Sequence, residues 1–445
     1  MKFKDFDKQI IRDNVQYSVD KITEIIKEIG PRESAGPEAY AAMELLRKDL
    51  EKYADETHYE EYQMAQKAFQ HFTKIISVAT IGAITAGGVL KYAKPEKLGK
   101  LAKLAKSKVA PHAIVSGVSL ASLGITAFEF LLYKQFTDVL YKKVTGRNLI
   151  ATRKATEETK KRIVINGHID SAYECRHTYY GKGWGMTPLM AGTIVSLITS
   201  AIMSSVSTVS ELTGKKNSLT KFLGDKGYLF HFFTLLNMIT LYFFIDFKRV
   251  VPGANDNLTG TMAAVTALKM LDEAGIKFKN TEVVAMITDG EEAGLRGAKQ
   301  FAKDHYKDYV ESGVETSVLC VDTLTDFEFM NVYNRDMSGT VKHDPKFCKL
   351  VMDAAKEAGY DHLEFANVFF GSSDAAAFSQ EGISATCLAA MDPAPADYYH
   401  NRKDSYDRLV PETIEAGYDV IMASILKFAD EDINDDDDDD DKKEI

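Results

Sequence analysis

Apolar residues recur along this chain with two different periods and, in two places, run on with almost no polar interruption. Short runs rich in β-branched residues at 162–165, 283–288 and 318–321 read as strands, the first breaking at Gly167. Residues 261–271 show helical spacing instead. Strands alternating with helices predict an α/β fold, a mixed and mostly parallel sheet with helices on both faces. In such sheets, ligands gather beyond the carboxyl ends of the strands.

The two long apolar stretches each read as a helical hairpin. Residues 75–90 pair with 113–132 across a lysine-rich turn, and 186–209 pair with 228–247. About 20 mainly apolar residues are needed to cross the hydrocarbon core. The third and fourth segments reach that length, and the first, at 16, is short. Small residues such as Gly82, Ala86, Gly117 and Ser204 suit close helix packing in a bilayer. A water-soluble helical cap would carry charge along one face of each helix, whereas Glu129 and Asp246 are the charged exceptions here. The expectation is an inserted four-helix hydrophobic bundle that crosses a membrane four times, with lipid as its partner. It divides the chain into one discontinuous domain (1–71, 134–185 and 248–429), hairpins at 72–133 and 186–247, and a tail at 430–445. Lysines and arginines stand at the hairpin tips (Lys94, Lys100, Lys215) and at their roots (Lys134, Arg147, Lys248), so the positive-inside tendency leaves the side of the main domain open.

Charge and composition narrow the picture further. The 445 residues leave room for one large α/β domain plus additions. Net charge is −11, of which −9 lies from Asp430 onward; the run 435–441 is all aspartate. Such a self-repelling segment is expected to be a disordered, solvated tail. No basic stripe interleaved with aromatics points to nucleic acid. Cys175, Cys320, Cys348 and Cys387 are far apart with no Cys-x-x-Cys spacing, which predicts buried free thiols rather than a redox pair or a thiolate metal site. The polar, mixed-charge start of the chain does not look like a cleavable secretion signal.

The candidate chemistry lies at the predicted strand ends. His168 and Asp170 stand in Gly-His-Ile-Asp, Asp256 in Pro-Gly-Ala-Asn-Asp-Asn, Glu291 and Glu292 in Asp-Gly-Glu-Glu, Asp322 in Cys-Val-Asp and His400 in Tyr-Tyr-His-Asn. Singly, each has a structural explanation. Asp256 can cap the helix that follows it, and paired glutamates at a helix start suit its dipole. Five such coincidences at strand ends have no common structural explanation. Two zinc ions need a shared carboxylate, one or two further oxygen or nitrogen donors each, and an open position for water. This set supplies those donors and leaves one acid spare as a proton carrier.

In order, the segments Gly-His-Ile-Asp-Ser, Pro-Gly-Ala-Asn-Asp-Asn-Leu-Thr-Gly, Asp-Gly-Glu-Glu-Ala-Gly-Leu-Arg-Gly-Ala and Tyr-His-Asn resemble peptidase family M28. The group includes leucyl aminopeptidases, aminopeptidase Y and glutaminyl cyclases. Ile29-Gly30-Pro31-Arg32 resembles its opening motif. The resemblance implies a three-layer α/β/α sandwich of the zinc-aminopeptidase type and two zinc ions per chain. His168 and Asp322 would hold one, Glu292 and His400 the other, with Asp256 between them. Glu291 would be the general base and Asp170 would orient His168. The implied activity is that of an aminopeptidase acting on short peptides; carboxypeptidases and other amidohydrolases share the chemistry. Glutaminyl cyclases of the same fold use one zinc, and non-catalytic relatives lose ligands that this chain keeps. The chain departs from the family where Ala375 replaces a histidine after Asp374 and Gly371 stands where a tyrosine can donate to the oxyanion. Asp374, Tyr398 and Tyr399 are the candidate substrate-binding residues.

Overall fold

The computed structural model describes residues 2–181, 183–368, 371–394 and 396–430, so the expected acidic tail lies outside the described residues from 431 onward. The chain divides into two compact units. One comprises Met1–Gln66, Lys142–Glu174 and the chain from Phe247 onward; the other comprises Lys67–Tyr141 and Cys175–Asp246.

The strands are β1 (Glu56–Met64), β2 (Val144–Arg153), β3 (Lys161–His168), β4 (Tyr173–Cys175), β5 (Ile245–Val250), β6 (Thr281–Thr288), β7 (Glu315–Leu324), β8 (Met330–Asp336), β9 (Val341–Lys342), β10 (Phe365–Asn367) and β11 (Ser384–Ala390). The helices are α1 (Lys8–Glu24), α2 (Pro37–Leu50), α3 (Ala68–Tyr92), α4 (Ala102–Ala105), α5 (Ala110–Thr126), α6 (Arg176–Gly181), α7 (Gly183–Thr213), α8 (Ser218–Tyr242), α9 (Thr259–Glu273), α10 (Arg296–Asp304), α11 (Pro345–Glu357), α12 (Asp374–Gln380) and α13 (Pro411–Asp430).

The first unit is built on a nine-stranded sheet in the order β1-β2-β6-β3-β7-β11-β8-β10, with β9 on β8; β4 and β5 form a separate pair. Its centre, β6-β3-β7-β11, is parallel, and the flanking β1/β2, β2/β6 and β8/β11 pairs are antiparallel. This is the expected mixed sheet. Both faces are covered. Ile163 and Ile165 join the core shared with α1, α9 and α13, while Val164 between them is equally buried on the opposite face. Helix α9 is buried on nearly every side from Thr259 to Leu271, which accounts for its apolar and small composition all round. It comes close to the sheet because its contact points are glycines. A Cβ on Gly167 would run into the backbone of Gly260, and one on Gly260 into the carbonyl of Val321. All four cysteines are buried free thiols, as their spacing predicts.

The second unit packs α3, α5, α7 and α8 together. Among the described residues, three helical stretches are long and apolar enough to cross a membrane: Ala68–Tyr92, Ala110–Leu131 and Gly185–Thr213. The fourth expected segment, 228–247, is not among them. Helix α8 ends at Tyr242, and the last residues of the 228–247 run leave it for a turn and for β5, whose first residue is Ile245. Only 228–242 of that run is helical, about 22 Å at 1.5 Å per residue against a core of about 30 Å. The bundle buries hydroxyls among apolar side chains such as Ile76, Val115, Leu197 and Met238, and leaves large apolar side chains outside. Thr80 meets Ser122 at 3.0 Å, Ser116 meets Ser205 at 2.6 Å, and His231 takes Ser200 and Ser204 on its two ring nitrogens. Outward, Val195, Leu229 and Phe233 are 62, 68 and 67 % exposed.

Candidate metal centre

His168 closes β3, level with Thr288 at the end of β6. Asp322 lies near the end of β7, and the Asp256 loop runs directly into α9. Parallel strands align these ends, so residues far apart in sequence share one edge of the sheet. His168, Asp256 and Asp322 form one group whose donor atoms all lie within 4.8 Å of one another, and Asp256, Glu292 and His400 form a second. Asp256 belongs to both. Its Oδ1 faces His168 Nε2 at 3.4 Å and its Oδ2 faces His400 Nε2 at 3.1 Å, while His400 Nε2 also lies 3.2 Å from Glu292 Oε1. Glu291 Oε2 lies 3.9 Å from His168 Nε2, and its side chain is 11 % exposed.

The backbone around these side chains is held by Asn255, Asn257 and Asp404, which no sequence motif singled out, and by Arg32 of the Ile29–Arg32 motif. Asn257 donates to Val321 O at 2.8 Å and accepts from Gly260 N and Thr323 N, tying the Asp256 loop to β7. Asn255 and the Asp256 amide both donate to the carboxylate of Asp404. The Asp256–Asn257 peptide bond is cis. Buried Arg32 donates to Ile169 O at 2.7 Å, Pro252 O at 2.8 Å and Gly253 O at 2.8 Å, so one guanidinium joins the segment after His168 to the one before Asp256. Asp404 has a faint sequence signal, an acid four residues beyond His400. The two asparagines had none beyond their flanking position.

Asp170 contacts both His168 and the paired glutamates. The nearer partner of His168 Nδ1 is the Asp170 carbonyl at 3.0 Å, with its carboxylate at 3.5 Å. That carboxylate accepts from the amides of Glu291 and Glu292, at 3.2 and 3.1 Å, and from Ser34 Oγ at 2.6 Å. The two glutamates sit in a turn ahead of α10, not at a helix start. Asp374 opens α12, 4 % exposed, with Oδ2 on Thr288 Oγ1 at 2.5 Å and Oδ1 without a hydrogen bond. Tyr398 is buried with its hydroxyl donating to Asp326 at 2.9 Å, and Tyr399 stacks on the His400 ring at 3.8 Å. Gly371 has φ +95°.

Electrostatics show a site with too much buried negative charge. Burial pushes the Asp322 carboxyl up to about 7, with Asp256 adding to it, and pushes Asp404 to about 7 and Asp374 to about 6. Glu291 is raised well above the carboxylate range by burial, partly opposed by His168. Burial would raise Asp256 too, but the adjacent imidazoles of His168 and His400 outweigh it and hold that carboxyl below its usual range. His168 is raised despite its burial, because Glu291, Asp170 and Asp256 surround it. Dications would offset this excess. His168 Nε2 is buried, faces the carboxylates and makes no hydrogen bond, as a metal ligand's donor atom would. Nitrogen and carboxylate donors in two groups with one shared member fit zinc.

No curated protein matches the chain by sequence. Among solved structures, an aminopeptidase from Aneurinibacillus sp. strain AM-1 aligns over 96 % of this chain and 95 % of its own, at 14 % identity and TM-score 0.51. A zinc aminopeptidase from Bacillus subtilis aligns over 93 and 94 % at 12 % identity and TM-score 0.51. A glutaminyl cyclase from Fimbriiglobus ruber aligns over 95 and 96 % at 13 % identity and TM-score 0.51. At these identities the likeness is one of fold. The family model described as peptidase family M28 matches residues 240–425, which hold Asp256, Glu291, Glu292, Asp322 and His400. The chain thus has an aminopeptidase-like α/β fold, and its segment 240–425 is similar to peptidase family M28.

Proposed function

We propose that the protein is a membrane-associated, zinc-dependent exopeptidase, an aminopeptidase that removes N-terminal residues from short peptides using two zinc ions. The observation that carries this reading is Asp256, whose two carboxylate oxygens face separate groups of donors beside a largely buried spare acid, Glu291. His168 and Asp322 would complete one metal position, Glu292 and His400 the other. When bound, zinc supplies Lewis acidity and makes the attacking water more acidic. Glu291 takes the proton from that water at its carboxylate and returns it to the leaving amine. Asp170 holds Glu291 and Glu292 by their amides, so the base and a ligand move as one. Asp374 and Tyr399 line the approach to the peptide. The division of the chain follows: a peptidase domain, hydrophobic hairpins inserted into it, and an acidic tail.

A glutaminyl cyclase on the same fold is the second reading, favoured by the fold likeness to the Fimbriiglobus ruber enzyme. Two donor groups rather than one weigh against it, as intact ligands weigh against a silent scaffold. Purified protein is expected to bind about two zinc ions per chain and to hydrolyse aminoacyl anilides until EDTA removes the metal. Cyclisation of N-terminal glutamine without anilide hydrolysis would support the cyclase; folded protein with no zinc would support the scaffold.

Membrane association rests on the helical unit's buried hydroxyl pairs and its large exposed apolar side chains, together with its long apolar helices. The protein should stay in the membrane pellet after an alkaline carbonate wash and need detergent for release. Recovery in the wash would reject the spans.

A further inference from the structure

The turn that carries His400 is held by a contact outside the donor set. His400 has φ +48°, a left-handed conformation that non-glycine residues hold only when their surroundings enforce it. Within the turn, buried Asn401 donates to Asp397 O and Tyr399 O, and its side-chain oxygen accepts from Lys403 N. These bonds shape the turn but do not fix it to the sheet. Arg402 does. Its Nε and Nη2 meet the two oxygens of Glu174 at 2.6 and 2.5 Å, a two-pronged guanidinium–carboxylate contact. Glu174 is 1 % exposed and lies in β4, six residues beyond His168. Arg249 in β5 stands 3.5 Å from the same carboxylate. The pair therefore joins the segment that carries His168 to the turn that carries His400. That turn also supplies Asp404, which holds the Asp256 loop.

We propose that Glu174, through Arg402, is a positioning residue for the second metal position, setting where His400 stands relative to Asp256 and Glu292. It touches neither substrate nor metal. Removing its charge frees the turn to relax from the left-handed conformation, and the His400 ring leaves its place opposite Asp256 Oδ2. The turn keeps its ties through Asp404 to the Asp256 loop and through Tyr398 to Asp326, and the His168–Asp322 side has its own support in Asp170, Asn257 and Arg32, so the displacement falls on His400. The inference rests on the two-zinc reading above.

The test is a zinc titration of the detergent-purified full chain against a competing chelator. In Glu174→Gln, the tighter zinc step should be unchanged and the weaker one reduced by about 10- to 100-fold. Activity should return at raised zinc with the peptide KM unchanged. Arg402→Lys, which keeps the charge but loses the fork, should shift the same step. It alters a half-exposed side chain, so it serves if Glu174→Gln fails to fold. In a His400→Ala background, adding Glu174→Gln should change nothing further. Equal weakening of both steps would mean general destabilisation, and two unchanged steps would mean no positioning role; either overturns the inference alone. A wild-type chain that binds fewer than two zinc ions overturns the proposed function with it.

Discussion

Glu291→Gln should reduce kcat for aminoacyl-anilide hydrolysis by about 100- to 10,000-fold, the usual worth of a positioned general base, and leave the zinc content unchanged. The side chain is nearly the same size, and the Glu291 amide still donates to Asp170 at 3.2 Å. The five donors in the two groups are untouched. What is lost is the ability to accept a proton in a largely buried place beside His168. Replacing a ligand behaves differently: Asp256 belongs to both groups, so its loss removes metal as well as turnover. Zinc analysis and steady-state kinetics on one preparation separate the two effects. Turnover within threefold of wild type would dismiss Glu291 as the base; lost zinc would recast it as a ligand.

Arg32→Met should destabilise the first unit by about 3–5 kcal/mol, the cost of breaking a buried charge network from one side. Arg32 is fully buried. Burial lowers its guanidinium to about 10, against Asp404, Asp170 and Asp256, which favour its charged form. Methionine fills part of the volume but takes the guanidinium away from the carbonyls of Ile169 and Pro252, each loss costing about 1–3 kcal/mol before relaxation, and leaves Gly253 O with the Leu258 amide at 3.4 Å. Arg32→Lys should rescue little, because a single ammonium cannot reach three carbonyls in different directions. Chemical denaturation in detergent reads the stability, and zinc retention reads the two segments Arg32 joins. A loss under 1 kcal/mol would show that water or neighbouring donors replace the guanidinium.

Much of this protein was legible in one dimension. The apolar runs at 162–165, 283–288 and 318–321 fall within β3, β6 and β7, and the helical spacing at 261–271 falls within α9. That is because burial on a strand or helix imposes its own period on the sequence. The bundle helices were legible from their near-absence of charge. The end of α8 was not: the apolar run continues through Phe247, and hydropathy does not distinguish a helix from the turn and strand that finish it. Asn255, Asn257 and Asp404 escaped notice because a hydrogen bond to a distant backbone leaves no mark in local composition.

By itself, the sequence determined which elements form and in what order, and which acids and imidazoles stand at their ends. Those properties depend on neighbours within a few residues. Only the tertiary structure decided that Asp256 presents one oxygen to His168 and the other to His400, that Asp170 holds both glutamates, and that Arg402 reaches Glu174. These are distances between segments up to some 230 residues apart. Strand register and the close glycine approach of α9 to β3 set them, and no local pattern encodes either.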